Sequence, residues 1–268
     1  MSIAERLLER KKPLLIGHRG YCSVAPENTL PSFKLALDAG ADLIELDYQH
    51  SKGGVPMVIH DAIFDRTTDA RRKWKRRRIK VSQRTAAEIQ TLDAGTWFDA
   101  KFFGAKVPTL IEALDFICGH GGVPLIEHKS GEANTLATLL RERELINKVV
   151  VISFNWKFLR ELHALEPTQI LGALGPPVRL SHGRRPLHPR RQLSSRLNDL
   201  LKTGASIAVW NRKVTRRSIQ ASHRRGIKVW VYTVDDGRLA RGLLRNQVDG
   251  IITNRIEIIR DATLDKSF

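Results

Sequence analysis

Residues 14–47 read LLIGHRGYCSVAPENTLPSFKLALDAGADLIELD, and this stretch contains a whole strand, helix, strand unit. Leu14 to Gly17 and Leu43 to Asp47 are short apolar runs of strand length. Between them, Leu30, Phe33 and Leu37 recur at the spacing that puts them on one side of a helix. Asn28 or Thr29 is placed to cap that helix at its start, and Gly40 to stop it at its end.

The same alternation continues to the end of the chain. Further strands are expected at residues 124–128, 149–153, 169–173, 206–210, 227–232 and 249–252, making eight in all. Helical patterns lie between them at residues 133–144, 156–165, 194–203, 215–225 and 237–246. Several of the strands are apolar almost throughout, as strands of a parallel sheet covered on both faces must be. Eight strand and helix units in 268 residues suit a TIM (β/α)8 barrel, which takes about 250 residues as one domain. The interval from the second strand to the third is too long for one crossover. We read approximately residues 48–107 as a small insertion with an extra strand, Val55 to His60, a basic run, and a helix near residues 85–91.

The net charge of +17 is concentrated. Residues 71–80, RRKWKRRRIK, contain eight basic residues, and residues 179–196 contain six Arg; neither stretch has an acidic residue. The rest of the chain therefore carries only +3, so the body is nearly neutral. No apolar run approaches the roughly 18 residues of a membrane span, and residues 1–12 lack an apolar export segment. Two cysteines, Cys22 and Cys118, make no disulfide framework and no zinc spacing. A reducing cytoplasm is the expected compartment.

The chemistry is concentrated between residues 18 and 61. Side chains two apart on a strand share a face, so Glu45 and Asp47 point one way while Ile44 and Leu46 point the other. Two carboxylates leaving an apolar strand together call for a cation between them. His18 follows the first strand and His60 the extra one, supplying a proton donor and acceptor on either side. On the third strand of the barrel, Glu127 and Lys129 share a face and His128 takes the other. Three carboxylates and a lysine at strand ends make a socket for a divalent cation and an anionic oxygen. His128 and Cys22 have no role in this reading.

Taken together, these residues resemble the glycerophosphodiester phosphodiesterase family. The likeness runs through His18-Arg19-Gly20, Pro26 to Thr29, Gly40-Ala41-Asp42, Glu45 and Asp47, His60-Asp61 and Arg66-Thr67-Thr68. It continues through Leu92 to Gly95 with Trp97-Phe98, Pro108-Thr109-Leu110, Glu127 with Lys129, Ser153-Phe154, and Val248 to Asn254. The order and spacing agree over essentially the whole chain.

The resemblance implies a TIM barrel that hydrolyses glycerophosphodiesters to sn-glycerol 3-phosphate and an alcohol. It implies that Glu45, Asp47 and Glu127 bind a divalent ion, that His18 and His60 act as acid and base, and that Arg19 and Lys129 hold the phosphate. Hard oxygen ligands favour Mg2+ or Ca2+. Two positions depart from the family pattern, Tyr48 to Gly54 after the second strand and Tyr232 on the seventh, and both are expected on the substrate side. Gly53-Gly54 still permits a tight hairpin.

The partner implied is a small glycerophosphodiester. The basic run from Arg71 to Arg78 adds an expected contact with an anionic membrane surface, with Trp74 as an interfacial or stacking residue. On that ground a lysophospholipase D acting at membranes is the alternative function. A nucleic-acid-binding protein on an inactive barrel is a third reading, disfavoured by the complete set of acid, base and metal positions.

Overall fold

The structure is a computed structural model describing residues 2–175 and 192–264. Two compact units are distinguished, one of residues up to 16, 132–253 and from 257 onward, the other of residues 17–131 and 254–256.

Helix α1 (Ile3–Glu9) opens the chain, with Ser2 and Glu5 exchanging the two bonds of a capping box. Strand β1 (Leu14–Gly17), helix α2 (Leu30–Asp38) and strand β2 (Leu43–His50) form the unit read from residues 14–47. The insertion follows, with β3 (Pro56–Val58), α3 (Ala70–Lys73) and α4 (Ala86–Gln90). Helix α5 (Leu110–Gly119) then leads into β4 (Val123–His128). From there helices and strands alternate: α6 (Ala133–Glu142), β5 (Val150–Ser153), α7 (Trp156–Leu165), β6 (Ile170–Gly175) and α8 (Gln192–Leu201). The series ends with β7 (Ile207–Asn211), α9 (Arg216–His223), β8 (Lys228–Tyr232), α10 (Gly237–Arg245), β9 (Gly250–Thr253) and α11 (Ile256–Leu264).

All eight expected strands form and each is followed by a helix, so the fold is a TIM (β/α)8 barrel with β3 as an extra strand. Helix starts are set locally. Thr85 with Glu88 and Thr109 with Glu112 make capping boxes, while Asn155, Thr215 and Asp236 cap α7, α9 and α10 through their side chains.

Helix α2 differs from expectation at its start. Thr29 stands at the N-cap position without bonding a helical N–H, because its hydroxyl donates to Pro26 O at 2.6 Å. Asn28 is not the cap either, since its side chain is engaged with Asp47. Pro31 in the first turn fixes the helical φ in their place.

In the first unit the strands lie in the order β1, β9, β8, β7, β6, β5, and the neighbouring pairs from β9 to β5 are parallel. Small residues make room for large ones here. A Cβ on Gly175 would lie 1.8 Å from the ring of Trp210, which is buried against it.

In the second unit β2 pairs with β4 in parallel, Asp47 standing opposite Glu127, and pairs with β3 in antiparallel, Tyr48 opposite Val58. Gly53 and Gly54 turn the hairpin with φ of 93° and 84°, as its sequence requires. The extra strand is shorter than the expected 55–60, and β2 runs on to His50 to meet it.

The rest of the insertion packs on a core of its own. Met57, Ile59, Phe64, Ala70, Ile79, Val81, Ile89, Leu92, Ala94 and Val107 are buried together, with Trp74 packed against them.

Tyr48 corrects one expectation. It is fully buried on the face of β2 opposite Glu45 and Asp47, edge-on to His50 and His128 at ring distances of 5.5 and 5.7 Å. It therefore faces away from the substrate side, as strand alternation from Asp47 dictates. Of the second basic run, residues 179–191 lie outside the described residues.

Candidate active site

Every candidate residue from the sequence lies in the second unit. The β2–β4 register assembles the acidic cluster. With Asp47 opposite Glu127 and Glu45 two residues earlier, the three side chains share one face, each offering an oxygen within 4.8 Å of the others. All three are buried.

The loop after β1 closes over this cluster in a strained turn. Arg19 and Gly20 both have positive φ, 54° and 85°. That geometry aims the Arg19 N–H at Glu45 Oε2, 2.7 Å away, and the Gly20 N–H at the Glu45 carbonyl, 3.2 Å away. Position 20 must be glycine, because a Cβ there would meet Ser32 Oγ at 2.3 Å.

The cations are arranged around the carboxylates. Arg19 Nε lies 3.3 Å from Asp47 Oδ2, and its Nη1 donates to Glu27 Oε1 at 2.8 Å. Lys129 Nζ lies 3.0 Å from Asp47 Oδ1 and also bonds Glu127 Oε1. Burial works against the charge of Asp47, yet Lys129, Arg19 and His60 overcome it and hold that carboxyl well below the usual range. Glu45 and Glu127 are different. Burial, then the charge of Asp47, pushes Glu127 up to about 7, and the same causes raise Glu45 well above its ordinary value. Glu45 Oε1 is buried with no hydrogen-bond partner. An orphaned carboxylate oxygen among crowded acids, all hard donors, fits a divalent cation and is costly without one.

The two histidines have unlike partners. His18 Nδ1 donates to the Asn254 carboxamide oxygen at 2.6 Å, and Cys22 Sγ bonds the same oxygen at 2.8 Å. Burial, followed by the neighbouring Arg19 charge, lowers the His18 pKa and favours neutral imidazole. His60 Nδ1 instead meets the Asp61 carboxylate at 2.7 Å, and Gln49 holds its backbone carbonyl at 3.0 Å. His128 bonds the Gly131 carbonyl on the far side of β4 and takes no part in the cluster.

Sequence reading left five supporting residues without a role. Asn28 grips Asp47 twice, Nδ2 donating to Oδ2 at 2.9 Å and Oδ1 accepting from the Asp47 N–H at 3.1 Å. Its φ of 59° is one that asparagine tolerates. Arg66 bridges Glu27 and Asp61 with four contacts of 2.6 to 3.0 Å. A chain of ion pairs thus runs from Arg19 through Glu27 and Arg66 to Asp61, whose carboxylate meets His60 Nδ1. With Asn254, these residues fall within or beside the motifs quoted above, but pairings across 39 or 236 positions leave no trace in spacing. No helix among the described residues is long and apolar enough to cross a membrane.

Barrel and site together define an enzyme of phosphodiester chemistry. The sequence matches the Glycerophosphoryl diester phosphodiesterase family over residues 18–258. It is 31% identical to a glycerophosphodiester phosphodiesterase of Caldanaerobacter subterraneus over 92% of this chain and 96% of the relative. A glycerophosphodiester phosphodiesterase of Bacillus subtilis is 30% identical over 92% and 85% of the two chains. Among solved structures, the glycerophosphodiester phosphodiesterase of Agrobacterium tumefaciens superposes with a TM-score of 0.76 at 30% identity, covering 93% of this chain and 99% of its own. A phosphodiesterase of Oleispira antarctica, solved with its product sn-glycerol-3-phosphate, gives 0.79 at 25% identity, covering 98% and 99%. The chain belongs to the glycerophosphoryl diester phosphodiesterase family.

Proposed function

We propose that the protein hydrolyses glycerophosphodiesters to sn-glycerol 3-phosphate and an alcohol, using Glu45, Asp47 and Glu127 to hold Mg2+ or Ca2+. The observation that carries this reading is the buried cluster of those three carboxylates on one face, with a Glu45 oxygen left unpartnered. The product bound to the Oleispira relative supports the glycerol phosphate half of the substrate. The reading takes residues 1–268 as one domain with 48–107 as its insertion.

A divalent ion held by Glu45, Asp47 and Glu127 would supply charge neutralisation at the phosphate. Arg19 and Lys129, which here neutralise the carboxylates, hold the phosphate oxygens. His18 serves as base. Its Nδ1 proton is committed to Asn254, so Nε2 keeps a lone pair, and burial beside Arg19 keeps the ring neutral. That nitrogen takes the proton of the attacking hydroxyl, whether from water or from the glycerol itself; attack by the glycerol would pass through a cyclic phosphate. His60 serves as acid. The Asp61 carboxylate on Nδ1 stabilises the imidazolium that protonates the leaving alkoxide.

The test is release of glycerol 3-phosphate from glycerophosphocholine by purified protein with Mg2+ or Ca2+. Chelation or Glu45→Ala abolishes it under this reading. Turnover that survives His18→Ala combined with His60→Ala would overturn the assignment of the histidines. Binding of nucleic acid without any diester hydrolysis would instead favour an inactive barrel.

A further inference from the structure

The basic run at residues 71–80 plays no part in the catalytic reading, and the structure shows it to be a built surface. Arg71, Arg72, Lys73, Lys75, Arg76, Arg77, Arg78 and Lys80 are all exposed. Arg72 is paired with Asp69 at 3.1 Å and Lys73 with the Thr91 carbonyl at 2.7 Å. Among the described residues no carboxylate pairs with the side chains of the other six.

The run is fastened at its far end. The Arg78 N–H donates to both oxygens of Asp65, at 3.0 and 2.9 Å, and Ile79 and Val81 bond back to Phe64 and Ala62. Residues 62–65 lie between His60-Asp61 and Arg66, so the basic surface is attached to the segment that carries His60.

Trp74 holds the run to the rest of the insertion. It lies edge-on to Phe64 at 5.3 Å, with the Arg84 guanidinium 4.5 Å over its ring. Partly buried, it packs on the insertion core and anchors the run there.

The exposed aromatics are elsewhere on the insertion. Phe103 is 76% exposed and Trp97 39%, with Lys101 and Lys106 beside them in the chain. Asp93 ties them to the basic run. Its carboxylate accepts the N–H groups of Gly95, Thr96 and Gly104, and its backbone exchanges bonds with Asp69, which immediately precedes α3.

We propose that this surface docks the enzyme on an anionic lipid bilayer. The cations meet the headgroup charge while Phe103 and Trp97 enter the interface. A soluble polyanion would use the cations alone. The inference does not depend on the catalytic assignments, since none of these residues belongs to the site.

Sedimentation of the full chain with vesicles tests it. Binding to vesicles containing about 30% phosphatidylserine, absence of binding to pure phosphatidylcholine, and a decline with added salt are expected. Arg76→Glu with Arg77→Glu lowers the affinity about tenfold or more, as two reversed charges near an anionic surface should. Phe103→Ser lowers it several-fold, with hydrolysis of a soluble glycerophosphodiester unchanged in both variants. Failure to bind anionic vesicles would overturn the proposal. So would wild-type vesicle affinity in Phe103→Ser, because the aromatics then do not enter the interface, or binding to RNA or polyphosphate tighter than to anionic vesicles, because that identifies a soluble polyanion as the partner.

Discussion

Replacing Glu127 with Gln removes one charge from the acidic cluster, and the metal-free protein becomes more stable for it. The Glu127 carboxyl rises from its ordinary value of 4.5 to about 7, through burial first and the Asp47 charge second. At about 1.4 kcal/mol per pH unit, keeping it ionised above pH 7 costs the fold about 3 kcal/mol. That cost is already net of the attraction to Lys129, and a neutral amide avoids it while its oxygen still accepts from Nζ, leaving an expected gain of about 2 to 3 kcal/mol. For a chain of this size that is a rise in Tm of about 4 to 6 °C.

The sign with pH follows from linkage. A carboxyl whose folded pKa is raised ionises first in the unfolded chain, so its destabilising effect develops as pH rises from 4.5 and is complete above 7. Denaturant unfolding in chelator therefore shows Glu127→Gln ahead of wild type at pH 8 and level with it near pH 4.5. With a divalent ion at 100 times its Kd the variant's advantage is cancelled, because the ion adds about 2.7 kcal/mol to the protein that binds it. A variant less stable than wild type in chelator at pH 8, or a difference that ignores pH, would refute the reasoning.

Asn28→Ala leaves the buried Asp47 N–H without its partner and puts alanine at a φ of 59°; it should cost about 2 to 4 kcal/mol by denaturant unfolding. Arg66→Ala breaks the chain between Glu27 and Asp61 at a partly exposed position. Unfolding should change by only about 1 kcal/mol, while kcat falls as His60 loses the support of a fixed Asp61. Asp93→Asn weakens the three backbone donors gathered by that carboxylate, and melting should register a loss of about 1 to 3 kcal/mol with kcat retained.

The sequence by itself determined the order of elements and which residues are candidates for the site. Apolar runs and helical spacing fix local conformation, and strand alternation places Glu45 with Asp47, because both depend on neighbours within a few positions. The spacing also predicted the Gly53-Gly54 hairpin. It could not supply pairings over distance. That Glu127 stands opposite Asp47 is a matter of strand register, and that Asn28 serves Asp47 instead of capping α2 depends on which partner the folded chain brings closer. Trp74 shows the same limit. Its sequence neighbours are cations, but among its neighbours in space are Phe64 and Arg84, contacts that no local spacing announces. The unlike partners of His18 and His60, a carboxamide 236 residues away and the carboxylate next in the chain, likewise exist only where tertiary structure sets them.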